Sequence, residues 1–192
     1  MLENLSQYKI ILASKSPRRK NLLREMGLTF EVISADIDEA SIKGNTPTET
    51  AVLIAQSKAN AIIESFKNNE LVITADTIVV LNNEVIGKPT SNEDAKNMLA
   101  KLSGKMHEVI TAVCIQTEKQ KKVFSNSTLV YFKKLSTDEI EYYVDTYEPL
   151  DKAGAYGIQE WMGTVAVEKI EGSYHNVMGL PTQELYKHLI SL

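Results

Sequence analysis

Residues 8–27 read YKIILASKSPRRKNLLREMG, and they set the class of fold. Tyr8 to Ser14 form an apolar run suited to a buried strand. The run leads directly into a helix. Ser16 is a good N-cap, Pro17 suits the first helical position, and Gly27 sits where a helix should stop. Lys15, Arg18, Arg19 and Lys20 crowd the start of that helix. This is the positive end of the helix dipole, where each cation loses roughly 0.3–1 kcal/mol. A chain with net charge −4 has no general surplus of cations to place there. One reading is a polyphosphate cradle, built from free N–H groups, the Ser14 and Ser16 hydroxyls and two guanidiniums. The other is a solvated basic face. The G-x-x-x-x-G-K pattern of a Walker loop is absent.

Outward from this stretch, helices and strands interleave. FEVISADID (30–38) reads as a second strand ending in acids. TPTETAVLIAQSKANAIIESF (46–66) reads as a helix, with a Thr46–Glu49 capping box and an apolar stripe of Val52, Ala55, Ala59, Ile62, Ile63 and Phe66. LVITADTIVVL (71–81) is a strand pair or one long interrupted strand, followed by a turn at NNE. Residues 91–104 form a helix capped by Ser91 and stopped by Gly104, and EVITAVCIQTEKQKKVFSNSTLVYFKKL (108–135) a hairpin. A short helix starts at Ser136 or Thr137. PLDKAGAYGIQEWMG (149–163) and EGSYHNVMGLP (171–181) read as loops, TVAVEKI (164–170) as a strand, and TQELYKHLISL (182–192) as a closing helix. The expectation is an α/β fold on a mixed sheet, in a single domain spanning 1–192.

Composition narrows the function classes. The 192 residues are 43% hydrophobic and 24% charged, as in ordinary globular proteins. The net negative charge argues against a nucleic-acid binder. One cysteine, Cys114, excludes an intrachain disulfide and falls in a strand-like run. The three histidines lack metal-ligand spacing. With no long apolar run and no signal-peptide pattern at the N-terminus, the expected location is cytoplasmic, with no membrane partner.

Further candidates are single residues in informative settings. Asp76 interrupts an apolar strand, which suits a general base or metal ligand at a strand end, with Thr77 beside it; the alternative is a polar break between hairpin strands. Lys88 stands between Gly87 and Pro89, as a phosphate-neutralising ammonium or an exposed turn lysine. Lys58 lies about 80° from the centre of its helix's apolar stripe, at the border of core and solvent. Asp36, Asp38 and Glu39 form an acidic cluster able to hold Mg²⁺, or a solvated loop. In DKAGAYGIQ (151–159), Tyr156 can stack on a ring and Gln159 can offer a donor and an acceptor to a base edge, unless this is an ordinary glycine-rich loop.

Six ordered blocks, LASKSPRRKNLL, ADTIVV, IGKP, ML..LSGKMHEVITAV, DKAGAYGIQ and GSYHNVMGLP, resemble the Maf-like nucleotide pyrophosphatases from about Ile10 to Pro181. The resemblance implies a Maf/ITPase-like fold, with helices flanking a central mixed sheet and two lobes forming an active-site cleft. It also implies hydrolysis of a nucleoside triphosphate to monophosphate and pyrophosphate with a divalent cation, Mg²⁺ or Mn²⁺. Ser14, Arg18 and Arg19 fall on its phosphate-binding motif and Asp76 on its proton acceptor. Arg18, Thr77 and Gln159 fall on positions tied to substrate choice. Glu39, Lys58 and Lys88 fall on further active-site positions, with Glu39 and Asp76 as the metal-binding acids. The DKAGAYGIQ form resembles the subgroup acting on dTTP and UTP. Alternatives are a 7-methyl-GTP or other modified-nucleotide pyrophosphatase, and a nucleotide sensor in cell division and septum formation. A homodimer is the family expectation. One departure stands out. The family has glycine directly after the glutamine, whereas here Glu160, Trp161 and Met162 precede Gly163.

Overall fold

The computed structural model describes residues 2–63 and 69–192. Strand β1 (Lys9–Ala13) runs into helix α1 (Pro17–Glu25), whose N-cap Ser16 accepts from the Arg19 N–H at 3.4 Å. β2 is confined to Glu31–Ile33, and the acids beyond it enter a short 3-10 turn at Glu39–Ser41. α2 spans Pro47–Ile63; Phe66 and the Ile63 side chain of the expected stripe lie outside what is described. Its cap is offset from a standard box. Thr46 Oγ1 accepts from the Glu49 N–H at 3.1 Å, but the Glu49 carboxylate takes the Asn45 N–H instead.

β3 (Glu70–Leu81) is one continuous strand, which settles the interrupted-strand alternative. Asn82 and Asn83, both at positive φ, make the tight turn into β4 (Glu84–Ile86). α3 (Asn92–Leu102) is capped by Ser91, and β5 (Met106–Gln116) and β6 (Lys121–Phe132) make the expected hairpin. α4 (Thr137–Tyr147) begins at a full capping box between Ser136 and Glu139.

Two expectations give way in the following stretch. Residues 161–166 form a helix, α5 (Trp161–Ala166), so that β7 starts only at Val167 and ends at Glu171. Gly163 makes this possible, because any side chain there would collide with the Ile158 carbonyl. The second apolar loop likewise holds a short helix, α6 (Tyr174–Met178), before α7 (Thr182–Ile190). Asn176 fastens α6 by donating from Nδ2 to Val109 O (2.9 Å) and Thr128 Oγ1 (3.0 Å).

Among the described residues, seven strands form one mixed sheet in the order β2-β1-β3-β5-β6-β7, with β4 on β3. β1 is parallel to both neighbours, pairing Leu12 with Val32 and Ile73; β3–β4 and β6–β7 are antiparallel. By contacts the chain divides into two compact units. The first comprises Met1–Asp76, Thr111–Asn126 and Gly179–Leu192, and the second Thr77–Ile110 and Ser127–Met178. In the first, Ile11, Ala13 and Val72 pack together with Ile62 of α2. In the second, Val79, Leu99, Phe132, Tyr143, Tyr156 and Met162 belong to one large apolar cluster. Cys114 is fully buried in β5. Among the described residues, no helix is long and apolar enough to cross a membrane.

Candidate active site

In the first unit, the turn between β1 and α1 gathers the expected anion-binding groups. Ser14 is buried, and its Oγ accepts from the Ser16 N–H at 3.2 Å and from Arg19 Nη1 at 3.3 Å. Arg19 Nε donates to the Gly179 carbonyl at 2.8 Å. Gly179 has φ +112°, a conformation that favours glycine. Three of the four cations therefore differ in placement. Arg19 is fixed inward by hydrogen bonds, Arg18 is half-buried, and exposed Lys15 turns outward to Asp36 at 3.0 Å.

Beside this turn lies an ion cluster centred on buried Lys58 and Asp76. Thr74 Oγ1 donates to Ala55 O at 2.6 Å, joining β3 to α2. One helical turn beyond Ala55, Lys58 points to the same strand. Its Nζ lies 2.8 Å from Asp76 Oδ1, 2.8 Å from Glu39 Oε1 and 3.5 Å from Ala75 O. An ammonium has three donors, and here it has three acceptors. Lys58 and Asp76 are each 7% exposed, so each charge offsets the desolvation of the other. Lys58 is thus not a border lysine reaching for solvent. Burial pulls the Arg19 pKa down, Asp76 and Glu39 oppose that shift, and Arg18 adds to it. Arg19 therefore feels both carboxylates of the cluster.

The acidic cluster does not converge. Asp36 accepts from Lys15 and Ser34, and Asp38 accepts the Ala40 N–H, leaving Glu39 as the member that reaches Lys58. Among the described residues, no group of three or more His, Cys, Asp or Glu side chains is arranged to hold a metal. Mg²⁺ commonly takes one or two carboxylates and fills its other positions with water and substrate phosphates, a number of carboxylates that Glu39 and Asp76 could supply.

The second unit holds Thr77, Lys88 and Gln159. Thr77 is half-buried in β3 and Lys88 is exposed. The turn carrying Lys88 is tied to the glycine-rich stretch by the Gly154 N–H, which donates to Gly87 O at 3.0 Å. Gly154 is required twice, by φ +70° and by Val79, which a Cβ would meet at 2.9 Å. Tyr156 is not available to stack on a ligand. It is buried, with its hydroxyl 2.7 Å from His107 Nε2. Gln159 is exposed and donates from Nε2 to Glu160 Oε1 at 3.4 Å.

Sequence reading missed Tyr143, Lys152 and Glu160. Lys152 is buried and paired with Asp151 (2.7 Å) and Glu160 (3.2 Å). Tyr143 donates to Glu160 Oε2 and accepts the Gly157 N–H at 2.9 Å. The available signal was the glutamate that departs from the family pattern after Gln159.

A family described as Maf-like protein matches residues 9–192. The chain is 52% identical over 190 residues to a Parabacteroides distasonis protein named dTTP/UTP pyrophosphatase, covering 98% of each. It is 52% identical over 193 residues to a Phocaeicola vulgatus protein of the same name, covering 100% of each. A Flavobacterium johnsoniae protein, also so named, is 47% identical over 190 residues, covering 99% of this chain and 98% of that protein. Among solved structures, the Staphylococcus aureus Ham1 protein shares the fold with TM-score 0.51 at 21% identity, over 94% of this chain and 99% of that one.

Proposed function

The chain belongs to the Maf-like protein family, and from that premise we propose that it is a nucleotide pyrophosphatase hydrolysing dTTP and UTP to the monophosphate and pyrophosphate. Full-length relatives at about half identity carry that name. The observation that carries the chemistry is the cluster in which buried Lys58 joins buried Asp76 to the part-exposed Glu39, in the same unit as the Arg19 turn.

Ser14, Arg18, Arg19 and the N–H groups at the start of α1 bind phosphate oxygens. Asp76 orients a water and takes its proton as the oxygen attacks the α-phosphorus. The bond from that phosphorus to the bridging oxygen breaks, and pyrophosphate leaves with the bridging oxygen. Lys58 holds the Asp76 carboxylate in place by donating to its Oδ1. Lys88 supplies a cation for the leaving group, while Thr77 and Gln159 contribute to the choice of base. Glu39 and Asp76 would hold a divalent cation, Mg²⁺ or Mn²⁺, which when bound neutralises charge on the phosphate oxygens. Most of the rate enhancement comes from positioning and electrostatic stabilisation.

The test is pyrophosphate release measured over canonical and modified triphosphates with Mg²⁺ or Mn²⁺. dTTP and UTP should lead the panel. Asp76→Asn should slow release by about 10²–10⁴-fold, the usual range for a general base. Near-wild-type turnover in that variant would remove Asp76 from the mechanism. A panel led by 7-methyl-GTP would replace the substrate assignment.

A further inference from the structure

Gln159 does not stand alone in the second unit. Its Nε2 donates to Glu160 Oε1, and the same carboxylate is gripped from two other sides. Tyr143 donates its hydroxyl to Oε2, and Lys152 Nζ lies 3.2 Å from Oε1. The grip is built into the surrounding fold. Tyr143 is fully buried in α4, and its oxygen takes the Gly157 N–H. Burial and the Glu160 carboxylate both raise the Tyr143 pKa, so the phenol keeps its proton and stays a donor. Lys152 is 7% exposed and is also paired with Asp151. Gly157 provides the floor. A Cβ there would lie 2.7 Å from Gln159 Nε2 and 2.8 Å from Glu160 Cδ, so both side chains rest on bare backbone.

We infer that Glu160 is a positioning residue that fixes which way round the Gln159 carboxamide faces, and thereby makes the site select a base with an N–H flanked by carbonyls. The inference rests on the pyrophosphatase reading above and deepens it. A carboxamide has two N–H donors and one carbonyl acceptor. With one N–H directed to Glu160, the second N–H and Oε1 remain as a donor–acceptor pair. That pair matches O4 and N3–H of uracil or thymine. Cytosine presents the reverse, an N4 donor beside an N3 acceptor. Gln159 could meet it only by turning over, and Oε1 would then face the Glu160 carboxylate, acceptor against acceptor. A site whose polar groups are fixed rejects a mismatched base far better than one that can reorient.

The test compares kcat/KM for UTP and CTP in the full chain. Glu160→Met removes the acceptor and should lower the UTP/CTP ratio at least about tenfold, mainly by admitting CTP. Glu160→Gln keeps an oxygen toward Lys152 and Gln159, and should hold the ratio within about threefold of wild type. If Glu160→Met does not fold, Glu160→Ala makes the same comparison with a smaller side chain. An unchanged ratio in a folded Met or Ala variant overturns the inference while leaving the pyrophosphatase reading intact. So does a parallel loss on both nucleotides, or a collapsed ratio in Glu160→Gln. Wild-type protein that does not turn over UTP at all overturns the pyrophosphatase reading itself, and this inference with it.

Discussion

Lys58 and Lys152 are equally buried, each 7% exposed, and each is held by two carboxylates. Their settings differ. Lys58 rises from the long helix α2 to Asp76 within the central strand β3; the Asp76 side chain is only 9% exposed, while the second partner, Glu39, is 39% exposed. Lys152 sits among turns, and its partners Asp151 and Glu160 are 54% and 20% exposed. The first arrangement commits a carboxylate to a place where water cannot replace the lysine. The second lets solvent take over part of the lysine's role. Such a difference suits the roles proposed here, in which Asp76 must stay fixed, whereas Glu160 needs only to present an acceptor in a set direction.

The comparison breaks most sharply at Lys58. Lys58→Met strands the Asp76 charge and should destabilise the protein by about 3–5 kcal/mol, read from urea unfolding midpoints. Adding Asp76→Asn to that variant should recover part of the loss, since the uncompensated charge is gone. Strict additivity of the two changes would show that the pair is not coupled.

Acid gives the next effect, and it lies in the second unit. Burial pushes the His107 imidazole down from 6.5 to about 4. The folded value lies below the unfolded one, so the neutral ring contributes stability that is complete above pH 6.5. That stability drains away as pH falls toward 4, at about 1.4 kcal/mol per pH unit and about 3 kcal/mol in all. Unfolding free energy measured across that window should show the decline. His107→Gln, which cannot titrate, should flatten it; the same slope in that variant would assign the decline to other groups.

Lys152→Met should have the smallest effect, about 1–2 kcal/mol by the same unfolding measurement, because its half-exposed partner Asp151 can be rehydrated. A loss equal to that of Lys58→Met would erase the distinction between the two lysines.

Much of this was legible before any coordinates. Ser16, Pro17 and Gly27 bracket α1 through capping rules that act over a few residues. Asp76 was conspicuous as a charge in an apolar run, and Lys58 as a lysine beside an apolar stripe. Their contact was not legible, because it depends on how α2 lies across β3, which the Thr74–Ala55 hydrogen bond helps to fix. The same reason hid Tyr143 and Lys152. Tyr143 looks like an ordinary core residue of an amphipathic helix until Glu160, 17 positions on, meets its hydroxyl. α5 was misread because apolar, β-branched TVAV favours strand locally, while Gly163 lets the chain fold tightly onto Ile158.

The hydrogen bond from Arg19 to Gly179 spans 160 positions of chain. Ribosomes build proteins from the N-terminus, so Arg19 is made 160 residues ahead of its anchor. The three segments of the first unit are likewise separated by the whole of the second. During synthesis the Arg19 turn therefore stays without that carbonyl until Gly179 itself emerges. A nascent chain that stalls before Gly179 carries every residue of the ion cluster, yet its Arg19 guanidinium is aimed by Ser14 without the carbonyl that holds Nε.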